Sequence, residues 1–374
     1  MPPSPSTDPA AAGRSRRAGA ARPARARFET RLTRAWLARG LLARALWPLS
    51  LLYGAVVALR RLGYRSGLAR TERLSRPVLV VGNRVAGGAG KTPTALAVLA
   101  HLRERGWRPG VVSRGHGRRE HGLVAVERST PASACGDEPL LLRLRGGAPV
   151  VVGEDRVAAA RALLAAYPEV DVVVADDGLQ HLRLGRELEV LVFDARGAGN
   201  GWLLPAGPLR EPLDAPSSAP RVLTLYNADA PSTPRPGFRA WRQLAGAVAL
   251  ADWWAGRPAS PQALEALRGR RPVACAGIAQ PARFFGLLRD AGVDIEPLPL
   301  ADHADYAELP WPAEARDVVL TEKDAAKLAP ARVARERPAT RVWVAPLDFA
   351  PEPAFFAALD TALAPHRPPR RSEG

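Results

Sequence analysis

The sequence is poor in cysteine and in lysine, and both shortages are informative. Its two cysteines, Cys135 and Cys275, lie far apart. They supply neither a disulfide framework nor the ligands of a zinc site, and they fit a reducing compartment. Only three of the 53 basic residues are lysines: Lys91, Lys323 and Lys327. A chain so biased toward arginine is expected to keep lysine where a compact ammonium is needed, as among phosphates in a tight loop.

Acidic residues are scarce near the N-terminus and common elsewhere. Residues 1–70 hold 14 arginines against Asp8 and Glu29, which gives +12 of the net charge of +16. The remaining residues carry only +4, so the rest of the chain is nearly neutral. A nucleic-acid groove needs a basic excess on the folded body, interleaved with aromatic side chains when it binds single strands. The charge distribution therefore argues against a nucleic-acid-binding module.

The N-terminal region contains an apolar segment that is shorter than a membrane span, which needs roughly 20 apolar residues. The segment Ala45–Leu59 has 15 residues without a charge, and Pro48 interrupts it. Arginines flank it on both sides and would attract anionic lipid at about 1 kcal/mol each, and nearby Trp and Tyr rings favour a headgroup interface. We interpret residues 27–70 as a hydrophobic, membrane-associated helical segment. The alternative is a hydrophobic helix docked on the protein's own core.

A strand, a glycine-rich loop and a helix follow one another after this segment. The apolar run Val78–Val81 predicts a buried strand, the loop extends to Gly90, and a helix begins at Thr92. Glycines let backbone N–H groups close on phosphate oxygens, and the helix N-terminus adds the positive end of its dipole. In such a phosphate-binding loop (P-loop), Lys91 is expected to reach the β- and γ-phosphates and the Thr92 hydroxyl to bind Mg²⁺. The usual pattern has glycine where this chain has Val85.

Strand and helix patterns alternate along the rest of the chain, which predicts an α/β fold with a parallel, doubly wound sheet. We predict a P-loop domain at residues 71–220 and a smaller α/β domain at 221–365, in which Arg221–Leu225 is the first strand. Residues 1–26 and 366–374 have the composition of disordered tails. Ligands of doubly wound sheets bind at the C-terminal ends of the strands, and the polar clusters of this sequence fall there.

Carboxylates occupy positions suited to metal binding and to proton transfer. The apolar run Val172–Ala175 ends in Asp176 and Asp177, and carboxylates at a strand end beside a P-loop can hold Mg²⁺ directly or through water. Phosphoryl transfer to an alcohol uses a carboxylate or an imidazole to accept the hydroxyl proton. Asp137 in the first domain and His303 in the second are candidates. The alternatives are a helix-capping acid and a structural histidine.

Several separate motifs, in the same order along the chain, resemble those of the tetraacyldisaccharide 4′-kinases, the lipid A 4′-kinases of Gram-negative bacteria. The resemblance covers roughly residues 35–345. The motifs are Val81–Asn83, Gly87–Pro93, Ser113–Gly115, Gly136–Pro139, Asp176–His181, Gly199–Gly201, Leu204–Pro212, Ala276–Ile278 and Thr321–Ala325. Val85 belongs to the family's own variant of the P-loop, whereas His116 replaces a tyrosine of the family pattern.

The resemblance implies ATP- and Mg²⁺-dependent phosphorylation of the 4′-hydroxyl of an acylated glucosamine disaccharide 1-phosphate, which gives lipid IVA. It implies a protein at the cytoplasmic face of the inner membrane, peripheral or anchored by one helix, that contacts an anionic membrane surface without an obligate protein partner. By motif, the nucleotide-binding residues are Gly87, Gly88, Ala89, Gly90, Lys91, Thr92 and Pro93. The metal-binding residues are Thr92, Asp176, Asp177 and Gln180. The catalytic residues are Asp137 with the support of His303, together with Lys91 and Arg210.

Two other classes of function compete with the lipid kinase. The first is a membrane-associated P-loop ATPase that hydrolyses ATP without phosphorylating a lipid. Such proteins begin the motif with a lysine ahead of the Gly-Gly pair, and this chain has Ala86 there, which argues against them. The second is a soluble small-molecule kinase, which would leave residues 28–65 unexplained.

Overall fold

The computed structural model describes residues 32–367 of the chain. The tail predicted at 1–26, and all but the first two residues of the tail predicted at 366–374, lie outside the described residues. Two compact units are present. Within the described residues, the first consists of residues 32–60 together with 198–215, and the second of residues 61–197 and 216–367.

The second unit contains two sheets, and its strands and helices are as follows. The strands are β1 (Val78–Gly82), β2 (Pro109–Ser113), β3 (Val124–Val126), β4 (Val150–Val152), β5 (Val172–Asp176), β6 (Leu188–Asp194), β7 (Arg221–Asn227), β8 (Phe238–Leu244), β9 (Val248–Ala249), β10 (Val273–Ala276), β11 (Glu296–Pro299), β12 (Asp317–Leu320), β13 (Arg341–Val344) and β14 (Leu347–Pro351). With α1 (Leu41–Arg65), which begins in the first unit, the helices are α2 (Lys91–Glu104), α3 (Ala132–Cys135), α4 (Asp137–Gly146), α5 (Arg156–Ala166), α6 (Leu250–Trp254), α7 (Pro261–Glu265), α8 (Pro281–Asp290), α9 (Glu322–Ala325), α10 (Pro330–Glu336) and α11 (Pro353–Leu363).

The larger sheet has nine strands in the order β14-β8-β7-β6-β1-β5-β2-β4-β3. Its central strands are parallel, and only the two outermost pairings, of β14 with β8 and of β3 with β4, are antiparallel. Strands β1, β2, β4, β5 and β6 are buried along their whole length, as expected for valine-rich strands covered on both faces. The predicted α/β fold with a parallel sheet is confirmed.

Strand β1 lies between β5 and β6, and this position fixes the neighbours of the loop that follows it. Val81 is opposite Asp176 of β5, and Gly82 is opposite Leu191 of β6. After β1 the chain first forms strands β2 to β5, which lie on one side of β1, and then forms β6 and β7, which lie on the other side. A reversal of this kind opens a crevice at the C-terminal strand ends. The P-loop and the two carboxylates are therefore neighbours.

The strand at Arg221 belongs to the larger sheet, so its predicted place in the smaller domain is wrong. Seven residues of β7 pair in parallel with β6, from Arg221 opposite Leu188 to Asn227 opposite Asp194. Strands β8 and β14 extend the same sheet beyond β7. The Pro- and Gly-rich connection before Arg221 resembles a domain linker in composition. Composition does not encode which sheet a following strand joins, because pairing partners are distant in sequence.

The smaller sheet has five strands in the order β11-β10-β12-β13-β9. It is parallel except for the edge pairing of β13 with β9. Helix α9 follows β12 directly, and Thr321 caps it by accepting a hydrogen bond from the Asp324 N–H on its side-chain oxygen. The Asp324 carboxylate in turn accepts hydrogen bonds from the Thr321 hydroxyl at 2.6 Å and from the Gly277 N–H at 3.1 Å. These bonds fix α9 and the lysine-bearing turn after it against β10.

The first unit is built around α1 and the irregular loop 198–215. Asn200 is buried, and its side-chain amide donates hydrogen bonds to the carbonyls of Ala35, Ala38 and Ala206. The side-chain hydroxyl of Ser50 donates to the Leu203 carbonyl at 2.8 Å. The loop also has backbone hydrogen bonds of its own, such as that from the Leu204 N–H to the Leu209 carbonyl, and the side-chain bonds join it to the residues around α1.

Helix α1 runs without a break through Pro48, contrary to the interruption expected from the sequence. Its polar side chains face the protein and its apolar side chains face outward, which is the reverse of a surface helix in a soluble protein. Ser50 and Tyr53 face protein and donate to carbonyls, whereas the exposed face carries large apolar side chains. Those exposed residues are Leu41, Leu42, Trp47, Leu49, Leu51, Leu52, Val56, Leu59 and Leu62. The helix has 25 residues and is long and apolar enough to cross a membrane by length and composition.

A buried ion pair supports the loop that carries the carboxylates after β5. The Arg186 guanidinium has no exposed surface and lies 3.4 Å from the buried Glu189 carboxylate. It also donates to the carbonyls of Leu179 and His181. A buried guanidinium must satisfy its donors. The turn from Gly178 onward is therefore wrapped around this side chain.

We expect Arg186→Met to lower the free energy of unfolding by about 3 kcal/mol, because it leaves the Glu189 charge buried without its cation. Urea unfolding followed by circular dichroism measures the change. Arg183→Met is the matched control, since Arg183 pairs with Glu72 and Asp155 at the surface, where ion pairs contribute little. Equal losses in the two variants would contradict the assigned role of Arg186.

Candidate active site

The P-loop depends on two glycines with positive φ. Gly87 and Gly90 both have φ of +95°, a conformation that side chains with Cβ rarely adopt. A Cβ on Gly90 would also lie only 2.3 Å from side-chain nitrogens of Asn227 and Arg242. The loop thus turns tightly onto the N-terminus of α2 and leaves its backbone N–H groups open to an anion.

Neighbouring strand ends hold the P-loop in place. The Asn83 side-chain amide donates to the Gly87 carbonyl at 3.2 Å, and the Asn227 amide at the end of β7 donates to the Ala89 carbonyl at 3.0 Å. Val85 is buried, so this departure from the common pattern anchors the loop in the protein interior. Gly87 and Gly88 at the loop tip remain exposed.

Lys91 is the first residue of α2, and its ammonium lies among oxygen atoms. The Nζ atom is 3.5 Å from a carboxylate oxygen of Asp177 and 3.3 Å from the side-chain oxygen of Asn83. Both distances are at the long end for strong contacts. The side chain is flexible, and in this position the ammonium can turn to a phosphate on the loop.

Asp176 is almost fully buried at the end of β5 and lacks a full set of partners. Its Oδ1 atom has no hydrogen-bond donor within residues 32–367, and Oδ2 lies 3.5 Å from the Ser113 hydroxyl. Burial and the neighbouring charge of Asp177 together raise the pKa of Asp176 to about 7, against the opposing effect of Lys91. A buried carboxylate with an unpartnered oxygen is stabilised by a cation.

The residues around Asp176 fit Mg²⁺. The ion is usually held by one or two carboxylates and substrate phosphates, and it keeps several waters. Asp176 and Asp177 supply the carboxylates, and Thr92 is adjacent to Lys91 on α2. Within residues 32–367 no group of three or more His, Cys, Asp or Glu side chains could hold a metal by itself. Gln180 donates from its side chain to the Asn83 carbonyl at 3.2 Å, which links the acidic loop to the P-loop.

Asp137 and His303 are 166 residues apart and form a hydrogen bond. Asp137 is the first residue of α4, and its Oδ2 atom lies 3.0 Å from Nδ1 of His303. Burial alone would raise the pKa of Asp137, but the His303 hydrogen bond and the charges of Lys327 and Lys323 outweigh burial and lower it. The same hydrogen bond raises the pKa of His303 against the effect of its own burial.

Two lysines surround this pair: Lys323 in α9 and Lys327 in the turn after it. The Lys327 ammonium lies 3.0 Å from Asp137 Oδ2. The Lys323 ammonium lies 2.7 Å from Glu138 Oε1 and 3.5 Å from Nε2 of His303. His116, the position that departs from the family pattern, has its ring centre 6.0 Å from that of His303.

Arg210 belongs to the first unit. Its backbone carbonyl accepts a hydrogen bond from the Tyr53 hydroxyl at 2.8 Å. A role for its guanidinium in steadying phosphate charge stays a prediction.

Three contacts of the site were not predicted from the sequence. Arg196 donates to the Gly88 carbonyl at 3.2 Å, Asn227 binds the loop as described above, and Lys327 contacts Asp137. Arg196 follows the end of β6, and Asn227 is the last residue of β7. The contact of Asn227 follows from the rule that ligands bind at strand ends, had β7 been placed in the larger sheet. The third had a signal in the sequence, because lysine is so rare in this chain.

Comparison with known proteins identifies the family. The family model for tetraacyldisaccharide-1-P 4′-kinase (LpxK) matches residues 42–364. The chain belongs to this family. It is 66% identical to the tetraacyldisaccharide 4′-kinase of Methylibium petroleiphilum over 93% of this chain and 97% of that protein. It is 57% identical to that of Leptothrix cholodnii over 91% and 98% of the two chains.

A solved LpxK structure has the same fold. The crystal structure of LpxK from Aquifex aeolicus in complex with ATP superimposes with a TM-score of 0.72 at 26% sequence identity. The likeness covers 87% of this chain and 99% of that one. The family predicted from the motifs is confirmed. The match of the LpxK family model also spans every residue of the cluster around Lys91, Asp176 and Asp137.

The raised pKa of Asp176 predicts a pH-dependent effect of Asp176→Asn on the protein without nucleotide and divalent cations. In the wild type the buried carboxyl must lose its proton as the pH rises toward about 7, so stability falls between the ordinary pKa near 4 and that value. The variant has no such loss. We expect its unfolding free energy to exceed that of the wild type by at least about 1 kcal/mol at pH 8 and to match it near pH 4.

Thermal or urea unfolding in EDTA at several pH values provides the comparison. A difference between Asp176→Asn and the wild type that stays constant from pH 4 to pH 8 would contradict the raised pKa.

Proposed function

We propose that this chain transfers the γ-phosphate of ATP to the 4′-hydroxyl of a tetraacyldisaccharide 1-phosphate, as its family name implies. The observation that carries the proposal is the presence in one unit of a P-loop lysine beside paired carboxylates and of a separate Asp137–His303 pair. A nucleotide needs the first group, and an alcohol that must lose a proton needs the second. If the protein only hydrolysed ATP, the Asp137–His303 pair would have no alcohol substrate.

In the proposed reaction the sugar hydroxyl oxygen attacks the γ-phosphorus, the bond to the β-phosphate bridging oxygen breaks, and ADP leaves. Asp137 accepts the hydroxyl proton. Its lowered pKa keeps it ionised and able to accept at neutral pH. The hydrogen bond from His303 orients the carboxylate and stabilises the charge.

The nucleotide is held by the P-loop from Gly87 to Pro93, where backbone N–H groups and the start of α2 face the phosphates. Lys91 places its ammonium against the β- and γ-phosphates and exchanges its present contact with Asp177 for them. Arg210 adds positive charge near the transferred phosphate.

Mg²⁺ would be held by Asp176, Asp177 and Thr92, with Gln180 nearby, and would neutralise phosphate charge when bound. The unpartnered Oδ1 of Asp176 supports this assignment. The chain's own contribution is to keep two carboxylates at one strand end, with the Lys91 ammonium 3.5 Å from Asp177.

Helix α1 supports a place at a membrane surface, where an acylated substrate resides. A helix docked on the protein's own core would bury its apolar side chains, whereas α1 exposes them and turns Ser50 and Tyr53 inward. Its length of about 37 Å, at 1.5 Å per residue over 25 residues, exceeds the roughly 30 Å of a hydrocarbon core. We propose that α1 attaches the chain to the cytoplasmic face of the inner membrane, and that its arginine flanks contact anionic lipid.

The kinase proposal is tested with γ-labelled ATP and detergent-solubilised tetraacyldisaccharide 1-phosphate. We expect label in a bis-phosphorylated lipid with the wild type and Mg²⁺, and none in EDTA. Lys91→Ala should lose at least about 100-fold in rate, because one preorganised cation at the transferred phosphate contributes on that scale.

Arg103→Ala is a suitable control, because Arg103 lies in the last turn of the same helix. Within residues 32–367 its side chain forms a hydrogen bond only with the Gly146 carbonyl. Hydrolysis of ATP by the wild type without labelled lipid would contradict the kinase and favour the ATPase.

The membrane proposal predicts that Leu52→Gln, Val56→Gln and Leu59→Gln together weaken binding to anionic phospholipid vesicles. These side chains are all exposed and lie on one face of α1, and each would lose more than about 1 kcal/mol of apolar transfer free energy. Vesicle flotation should show at least a tenfold lower bound fraction. Leu123→Gln with Trp241→Gln, two exposed apolar residues of the second unit, should bind as the wild type. A similar loss in both variants would contradict the assignment to α1.

A further inference from the structure

The three lysines of the chain all lie in the candidate active site. Lys91 is in the P-loop, and Lys323 and Lys327 surround the Asp137–His303 pair. The other 50 basic residues are arginines. A composition that otherwise replaces lysine with arginine has kept the smaller cation at these places. Lys91 has a function in the P-loop, whereas Lys327 has no function in the account so far.

Lys327 is the most buried of the three, with 4% of its side chain exposed. Its ammonium lies 3.0 Å from Asp137 Oδ2, donates to the Ala304 carbonyl at 2.9 Å and is 3.7 Å from Asp324 Oδ1. The ring centre of Tyr306 is 5.6 Å away. An ammonium has three donors in a compact head, and these partners surround it closely. A guanidinium would need more room and presents its donors in a flat fork.

Asp137 receives both of its side-chain donors on one oxygen atom. His303 Nδ1 and Lys327 Nζ each lie 3.0 Å from Oδ2. No hydrogen bond to Oδ1 is formed by the residues from 32 to 367. Two donors on Oδ2 fix the plane of the carboxylate and leave Oδ1 as the atom that can accept a proton.

We propose that Lys327 is a positioning residue for Asp137: it holds the carboxylate in one orientation, keeps it ionised, and thereby sets the lowest pH at which the enzyme can accept the substrate's proton. The inference rests on the proposed function, in which Asp137 is the proton acceptor. Lys327 touches neither nucleotide nor lipid in this role. It acts through Asp137 alone.

Charged and titratable groups face Asp137 from every element around it. Its own helix and the turn before it contribute Glu138 and Cys135, the loop before Tyr306 contributes His303 and Asp302, and α9 with the following turn contributes Lys323, Asp324 and Lys327. Among the carboxylates, Lys323 lies closest to Glu138 and Lys327 lies closest to Asp137. Removal of Lys327 therefore changes the electrostatic environment of Asp137 more than that of any other acid except Asp324.

A purely structural role for Lys327 makes a different prediction. In that role it would serve to tether the loop at Ala304, as Arg332 tethers the same loop through hydrogen bonds of 2.7 Å to the Tyr306 and Ala307 carbonyls. Arg332 makes no contact with Asp137 in the described part of the chain. Arg332→Met is therefore the matched control, because it removes a tether and leaves the charge near Asp137 unchanged.

The test is the pH profile of kcat for lipid phosphorylation with saturating ATP and Mg²⁺. Without the cation the pKa of Asp137 rises, Asp137 is protonated at higher pH, and the acid limb moves upward. The limb belongs to the coupled Asp137–His303 pair. For Lys327→Met we expect a shift of about 1 pH unit or more, so that the loss relative to the wild type is roughly tenfold greater at pH values below the wild-type acid limb than on the plateau at pH 9. The KM for ATP should stay within about twofold, because the P-loop is unaffected.

Two further variants separate charge from folding. Lys327→Gln keeps a donor for the Ala304 carbonyl and should show the same upward shift if Lys327→Met does not fold. Lys327→Arg keeps the charge, so its acid limb should stay at the wild-type pH even if the larger head lowers kcat. Arg332→Met should keep the wild-type limb.

The proposal is overturned if Lys327→Met or Lys327→Gln lowers kcat by the same factor at every pH, or if Lys327→Arg shifts the limb as the neutral variants do. Failure of the proposed function looks different. In that case the wild type does not label the lipid, or Asp137→Asn retains activity, and the role of Lys327 falls with that of Asp137.

Discussion

The site depends on the parallel pairing of β1 with β5 and β6. This pairing sets Val81 opposite Asp176, so that the P-loop and the two carboxylates leave the sheet at the same edge. The strands are valine-rich and buried on both faces, and a slip of one residue would turn their side chains to the opposite face. The hydrophobic pattern thus fixes the register, and the register fixes the distance between the phosphate-binding loop and the candidate metal ligands.

A second constraint is the balance of charge in a site that gathers several carboxylates. The charges of Asp177 and Glu138 raise the pKa of Asp176, and Asp137 directly precedes Glu138 on α4. Three of them have a lysine within 3.5 Å. Asp176 has none, its Oδ1 is unpartnered, and its pKa is raised by burial. The arrangement separates the two kinds of acid. The lysine-paired Asp137 is kept ionised for proton transfer, and Asp176 is left for a cation that arrives with the nucleotide.

Local features of the fold could be predicted because they depend on neighbours in sequence. The valine run of β1, the glycine loop and the start of α2 were predicted from pattern, and so was the strand before Asp176. Pairing between distant strands could not be predicted in this way. Strand β7 was assigned to the wrong sheet, and with it the contact of Asn227 with the P-loop was missed.

In the candidate site, too, local motifs could be predicted from the sequence and contacts between distant elements could not. The motifs identified Lys91, Asp176 and Asp137, and the resemblance to a known family paired Asp137 with His303. The contact of Lys327 with Asp137 joins two elements that are 190 residues apart in the chain. Only the rarity of lysine marked that position. The unbroken course of α1 through Pro48 was also missed, because its apolar face and its inward hydrogen bonds depend on the loop 198–215.

The central claim is that phosphate binding and proton acceptance are performed by separate parts of one site. The most direct test measures ATP affinity and lipid phosphorylation side by side in Lys91→Ala and Asp137→Asn. The account predicts that Lys91→Ala loses both, whereas Asp137→Asn binds ATP within about twofold of the wild type and loses at least about 100-fold in transfer. Transfer at the wild-type rate in Asp137→Asn, or loss of ATP binding together with transfer, would contradict it.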